Sequence, residues 1–198
     1  KQDIAGSYNI SPEKIYMMHN GANESYRPLD TLNKKRIREI VTGGVPYFIF
    51  VGTLHPRKNL ANLLRAFDSF CRSSPKDFKM VIVGARFFLT EELDKVYKSM
   101  KFKSDVIFRG RLSSNELADT LAAAEALVFV PFYEGFGIPI IEAMNCDVPV
   151  IASNVTSLPE VAGNAALYAD PGDVGDIVNA MTRIVFEPGL REDLIDKG

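Results

Sequence analysis

Two glutamates stand eight residues apart in the stretch Pro131-Phe132-Tyr133-Glu134-Gly135-Phe136-Gly137-Ile138-Pro139-Ile140-Ile141-Glu142. An apolar run ends at Pro131, a Gly-x-Gly turn follows, and Pro139 falls in the first turn of a helix, where its missing N–H costs nothing. The amides of Phe136, Gly137 and Ile138 then point at whatever lies over that turn, ideally a phosphate. Glu142, one turn into the helix, is placed to accept hydrogen bonds from vicinal hydroxyls. Glu134 precedes the turn, so the two carboxylates bracket an anion held between them. Taken singly, Glu134 also fits a solvated loop and Glu142 a first-turn glutamate favoured by the helix dipole.

A second loop, Gly52-Thr53-Leu54-His55-Pro56-Arg57-Lys58-Asn59, carries the cations. Gly52 at a strand end lets a ligand approach the backbone. Arg57 and Lys58 stand just before a helix, where an arginine fork and a lysine point charge suit a phosphate; an exposed, solvated turn is the other reading. The loop matches neither the P-loop nor the Gly-x-Gly-x-x-Gly dinucleotide fingerprint. His55 reads as a bystander rather than a base. In a third loop, Gly110-Arg111-Leu112, the backbone could meet a base or simply turn the chain. Arg86-Phe87-Phe88, a possible hydrophobic lip, receives no role.

The elements that must position these loops alternate. Short apolar runs at Tyr47–Val51, Met80–Val83, Asp105–Phe108, Ala126–Val130, Pro149–Ala152 and Ala165–Tyr168 read as strands. Helical spacing joins them at 59–71, 90–100 (Thr90 as N-cap), 113–124 (a Ser113/Glu116 capping box), 138–145 and 174–186. Strand–helix alternation of this kind gives an α/β fold, a Rossmann-like doubly wound parallel sheet, whose ligands bind beyond the C-terminal strand ends. Residues 1–46 read as a linker entering the domain at 47–198. They hold a possible short strand at 15–18, the turn His19-Asn20-Gly21-Ala22-Asn23, and a short solvated helix at 30–39.

The chain of 198 residues carries 23 Lys and Arg against 25 Asp and Glu, a net charge of −2. That balance lacks the basic excess of a nucleic-acid-coating protein, so no nucleic-acid partner is expected. Its two cysteines, Cys71 and Cys146, follow no zinc-ligand spacing and suit a reducing compartment. No apolar run approaches the ~20 residues that span a bilayer.

Glu134 to Met144 resembles the Glu-x7-Glu signature of retaining GT-B glycosyltransferases, the large glycosyltransferase family 4 (group 1), in its mannosyltransferase-like members. Val51–Asn59, Phe108–Leu117, Pro149–Asn154 and Leu158–Gly163 resemble the same family in order, and Ile15–Ala22 its interdomain crossover. The resemblance implies the C-terminal, donor-binding half of a GT-B fold and polysaccharide biosynthesis. By it, Arg57, Lys58 and Glu134 are catalytic: the cations neutralise a donor diphosphate and the glutamate contacts the transferred sugar. Donor-binding residues are Gly52, Thr53, Arg111, Leu112, Gly135, Phe136, Gly137, Ile138 and Glu142, the last holding ribose hydroxyls.

Many members carry Gly-Arg where Gly52-Thr53 stands, and Arg57 takes over that arginine's part. Asp147 replaces a usual glycine after the helix, and Asp tolerates left-handed backbone angles. The resemblance further implies metal-independent, retaining hexosyl transfer without a cofactor, the nucleotide-sugar being a substrate, with GDP-mannose favoured over UDP-hexoses. It implies an N-terminal acceptor domain and closing helix outside this chain, low activity of this part alone, and a glycan or lipid-linked acceptor. The location implied is cytoplasmic, with any peripheral membrane contact made through the other domain. Open alternatives are a non-catalytic nucleotide-sugar-binding module and a nucleotide-sugar hydrolase or epimerase. A flavodoxin-like or receiver domain fails, because Gly52-Thr53 stands where an acidic pocket is needed.

Overall fold

The computed structural model describes residues 1–85 and 91–198. The expected Thr90 cap and the Arg86–Phe88 lip fall outside the described residues. Six parallel strands, β1 (Tyr47–Val51), β2 (Lys79–Val83), β3 (Val106–Gly110), β4 (Ala126–Phe129), β5 (Val150–Ser153) and β6 (Ala166–Ala169), form one sheet in the order β3-β2-β1-β4-β5-β6. β1 pairs with β2 from Tyr47↔Lys79 to Val51↔Val83, and on its other side with β4 through Phe48↔Ala126.

That order explains the layers. The chain steps outward from β1 to β3 through helices α3 (Leu60–Ser73) and α4 (Glu91–Ser99), then returns past β1 and steps the other way. Because parallel crossovers are right-handed, reversing direction moves the helices to the opposite face. There lie α5 (Ser114–Ala122), α6 (Ile138–Met144) and α7 (Leu158–Ala162), while α8 (Val174–Phe186) and α9 (Leu190–Lys197) come back to the α3 side. The pleat divides β1 accordingly: Phe48 and Phe50 enter the α3/α8 core, and Tyr47, Ile49 and Val51 enter the α5/α6 core. All five residues are buried, as a strand covered on both faces must be.

Three expectations need correction. Residues 15–18 form no strand; they follow a 3-10 turn at Pro12–Lys14, with Tyr16, Met17 and Met18 exposed. The charge-rich helix is longer than read, α2 (Thr31–Thr42, after α1 at Gln2–Tyr8), and it is not simply solvated. Ile37 and Val41, one turn apart, are buried against the α5 side. Arg38 locks the helix down by donating to the Ala123 carbonyl at 2.7 Å and pairing with Glu125 at 2.7 Å. Finally, α7 and α9 form where the sequence pattern predicts no helix. Two local readings hold: the Ser113/Glu116 capping box forms in both directions, and Asp147 sits at φ 52°.

Strands β1 and β2 end together. Gly84 takes φ +151°, and a Cβ there would lie 1.9 Å from the Gly52 carbonyl oxygen. The oxygen is backbone and a Cβ is fixed rigidly to its own Cα, so neither can swing aside. Gly84→Ala should therefore cost about 3 kcal/mol in urea unfolding, by forcing the two strand ends apart.

Candidate functional site

The strand order reverses between β1 and β4, and the loops after these two strands are the ones that carry the cations and the first glutamate. Beyond Gly52, which takes φ +151°, and the exposed Thr53, Leu54 is buried and anchors the loop. A 3-10 turn at Pro56–Lys58 follows, with the His55 ring accepting the Arg57 amide at 3.2 Å. Asn59, in the left-handed region at φ 59°, is buried and donates to the carbonyls of Val130 (2.9 Å) and Pro171 (2.7 Å). The Phe132 amide donates to the Arg57 carbonyl at 2.9 Å. These bonds hold the β1 loop and the β4 loop to each other.

On that frame Arg57, Lys58 and Glu134 converge. The Arg57 guanidinium donates to Glu134 Oε2 and to the Tyr133 carbonyl, each at 3.0 Å, and the Lys58 ammonium donates to the same Oε2. Lys58 is only 8% exposed and its Nζ lies 4.8 Å from the centre of the Phe129 ring, a cation–π contact. Burial alone would raise the Glu134 carboxyl, but the bond and charge of Lys58, then those of Arg57, outweigh it and hold the group below the usual carboxylate range. The glutamate thus lies with the cations rather than across an anion from them.

Past Glu134 the turn reaches Gly137 at φ +101°, where a Cβ would lie 2.6 Å from Leu158 Cδ2. Pro139 then opens α6. Gly135 and Ile138 are exposed and Phe136 is half-buried. Glu142, also half-buried, has its carboxyl raised by burial, opposed by a hydrogen bond from the Tyr26 hydroxyl. A cleft of about 400 Å³ opens beside the turn, lined by His19, Asn20, Gly135, Phe136, Ser157 and Glu160 among others. Arg111 and Leu112 are placed apart from this cluster, at the end of edge strand β3: Arg111 is exposed and Leu112 packs on the α5 side.

The family model for glycosyl transferases group 1 matches residues 33–198. The chain belongs to that family. The match takes in both site loops and begins within α2. Among similar curated proteins, the O-antigen chain mannosyltransferase B of Escherichia coli is 36% identical over 152 residues, 77% of this chain and 40% of the relative. The O-antigen chain mannosyltransferase RfbU of Salmonella typhimurium is 34% identical over 173 residues, 87% of this chain and 45% of the relative. The chain therefore spans less than half the length of these relatives. Among solved structures, Anabaena HepE in complex with UDP and glucose superposes with a TM-score of 0.83 at 18% identity, covering 99% of this chain and 54% of that one. The likeness places the sheet and its helices as the C-terminal half of a GT-B fold.

Within this glycosyltransferase domain, three residues of the site escaped the sequence reading. Tyr26 lies in a turn of the presumed linker yet is 7% exposed and reaches Glu142. Asn59 reads as the end of the cation loop and the start of the helix at 59–71, although its amide bridges two other segments. Ser157 precedes a helix too short to show periodicity. Among the described residues, no group of three or more His, Cys, Asp and Glu side chains is gathered as a metal would require, and no helix is long and apolar enough to cross a membrane.

Proposed function

We propose that this chain is the donor-binding half of a retaining, two-domain glycosyltransferase that moves a hexosyl group, mannosyl from GDP-mannose by preference, to a glycan or lipid-linked acceptor. The observation that carries the reading is the convergence of Arg57, Lys58 and Glu134 at the point where the strand order reverses, where open α/β sheets take their ligands. A donor diphosphate brings more negative charge than one carboxylate. It displaces Glu134 from the two cations and turns that side chain toward the sugar. As the bond from the sugar to the diphosphate breaks, the electron pair passes to a phosphate oxygen. Arg57 and Lys58 stabilise that charge, electrostatic work of the oxyanion-hole kind. The preference for mannose rests on the two mannosyltransferase relatives and on the Arg-Lys-Asn form of the β1 loop.

Glu142 serves the ribose. Isothermal titration of the full-length protein with GDP, UDP, ADP and GDP-mannose tests the reading. We expect selective binding of GDP, weakened about 30-fold in Glu142→Ala, the loss of charge-assisted hydrogen bonds. Selective binding of UDP would replace the mannosyl donor by a UDP-hexose, and no binding at millimolar nucleotide would end the reading.

The pH dependence has a fixed sign. With the Glu142 carboxyl raised by burial, affinity is full well above that raised value and falls as pH drops through it. Glu134, held low, stays ionised over the same window. Glu142→Gln should remove this part of the pH dependence in the same titrations.

A further inference from the structure

Ser157 occupies the N-cap position of α7, where a serine hydroxyl normally serves its own helix. Here its side chain caps nothing in α7. Its Oγ donates instead to the carbonyls of Glu134 (2.9 Å) and Phe136 (3.2 Å), a three-centre bond across the turn that carries the first glutamate. Neighbouring residues press on the same loop. Ser153, fully buried, donates to the Pro131 carbonyl at 2.8 Å, and Leu158 packs onto the Cα of Gly137. Between them Thr156 is held at φ 60°, a left-handed conformation that a β-branched residue rarely adopts. Strain of that kind persists only where the surroundings over-determine it. The left-handed step sits directly before the residue whose hydroxyl is aimed at the turn.

We propose that Ser157 is a positioning residue for transfer: it clamps the 134–136 turn, and through it sets the direction of the Glu134 side chain. The proposal rests on the donor reading above. Most of the nucleotide's contacts lie outside the clamped turn, because Asn59 anchors the backbone that carries the two cations, and Glu142 lies on α6 beside Tyr26. What the clamp governs is geometry at the transferred sugar, where a displacement of about 1 Å is enough to slow a reaction about 100-fold.

The test uses full-length protein with Ser157→Ala and Ser157→Thr, read by hydrogen exchange over 132–140, by transfer kinetics with GDP-mannose and by GDP titration. In Ser157→Ala we expect turn amides to exchange about tenfold faster. kcat should fall about 30-fold, with GDP affinity within about threefold of wild type. Ser157→Thr keeps the hydroxyl and should restore both readouts. The clamp is overturned if the alanine variant exchanges and turns over like wild type. It is equally overturned if GDP affinity falls in step with kcat, which would mark a general structural role. Should the wild-type protein bind no nucleoside diphosphate, the donor reading fails, and the exchange measurement still decides whether Ser157 holds the turn.

Discussion

Replacing Lys58 by methionine should lower kcat about 1,000-fold while raising the Kd for the nucleoside diphosphate only about tenfold. The asymmetry follows from where the charge is needed. Removing one preorganised group aimed at developing charge costs about 10²–10³ in rate, because a dry site gives that group far more weight than water would. Ground-state binding loses less, since on the proposed reading Arg57 and Glu142 still hold the diphosphate and the ribose. Methionine keeps the apolar stem against Phe129, so the change removes charge rather than packing. Lys58 and Glu134 share one hydrogen bond, and removing the ammonium leaves the carboxylate with Arg57 alone. Lys58→Met should therefore be less stable than wild type, and adding Glu134→Gln should restore much of that loss. In kinetics the same pair should be sub-additive, the double variant being much less impaired than the product of the single effects. Single-turnover transfer with saturating donor, together with urea unfolding of the four proteins, checks both statements. A Lys58→Met enzyme with kcat within a factor of about three of wild type would remove the residue from the chemistry.

Much of this was legible because parallel strands announce themselves. Most are short apolar runs stopped by glycine or proline, β5 running instead into Asn154, and helical spacing at 174–186 gives α8 at its observed bounds, Val174–Phe186. The Glu-x7-Glu stretch was visible because every participant is local: the turn glycines, Pro139 and both carboxylates lie within one strand–turn–helix unit. What stayed hidden depends on tertiary placement. The apolar residues at 15–18 resemble a strand, but among the described residues the sheet ends at β3 and β6, and Tyr16 and Met18 remain exposed. In α2 the polar run Asn33-Lys34-Lys35-Arg36 masks Ile37 and Val41, whose one-turn spacing marks the buried face. The pairing of Glu134 with both cations joins loops 76 residues apart, which no local pattern encodes. Tyr26 and Ser157 likewise meet the site only once the sheet has formed.

Phe70→Ala should cost about 4 kcal/mol of stability and leave nucleotide affinity unchanged. Phe70 is fully buried on α3 and sits among three other rings: 5.3 Å from Phe48 and 5.3 Å from Phe78, both edge-on, and 6.4 Å from Phe186. Truncating a buried phenylalanine to alanine costs about 3–5 kcal/mol, from lost transfer energy plus the cavity left behind. The edge-to-face pairs add to that loss. One feature above all keeps the cavity from closing: Phe48 is fixed by strand pairing to both β2 and β4, so its ring cannot move far. A loss of this size is a large part of the about 5–15 kcal/mol that holds a domain together. Phe70→Leu, which refills most of the space, should cost about 1.5 kcal/mol. The cluster surrounds the second residue of β1 and the approach to β2, at the N-terminal ends of the strands, whereas Arg57, Lys58 and Glu134 lie beyond their C-terminal ends. Urea unfolding should thus shift its midpoint sharply while nucleotide titration below the transition stays within about twofold of wild type. A matched loss of affinity would mean that the two ends of the sheet are coupled, and that the site owes its shape to the far aromatic cluster as well as to the loops that line it.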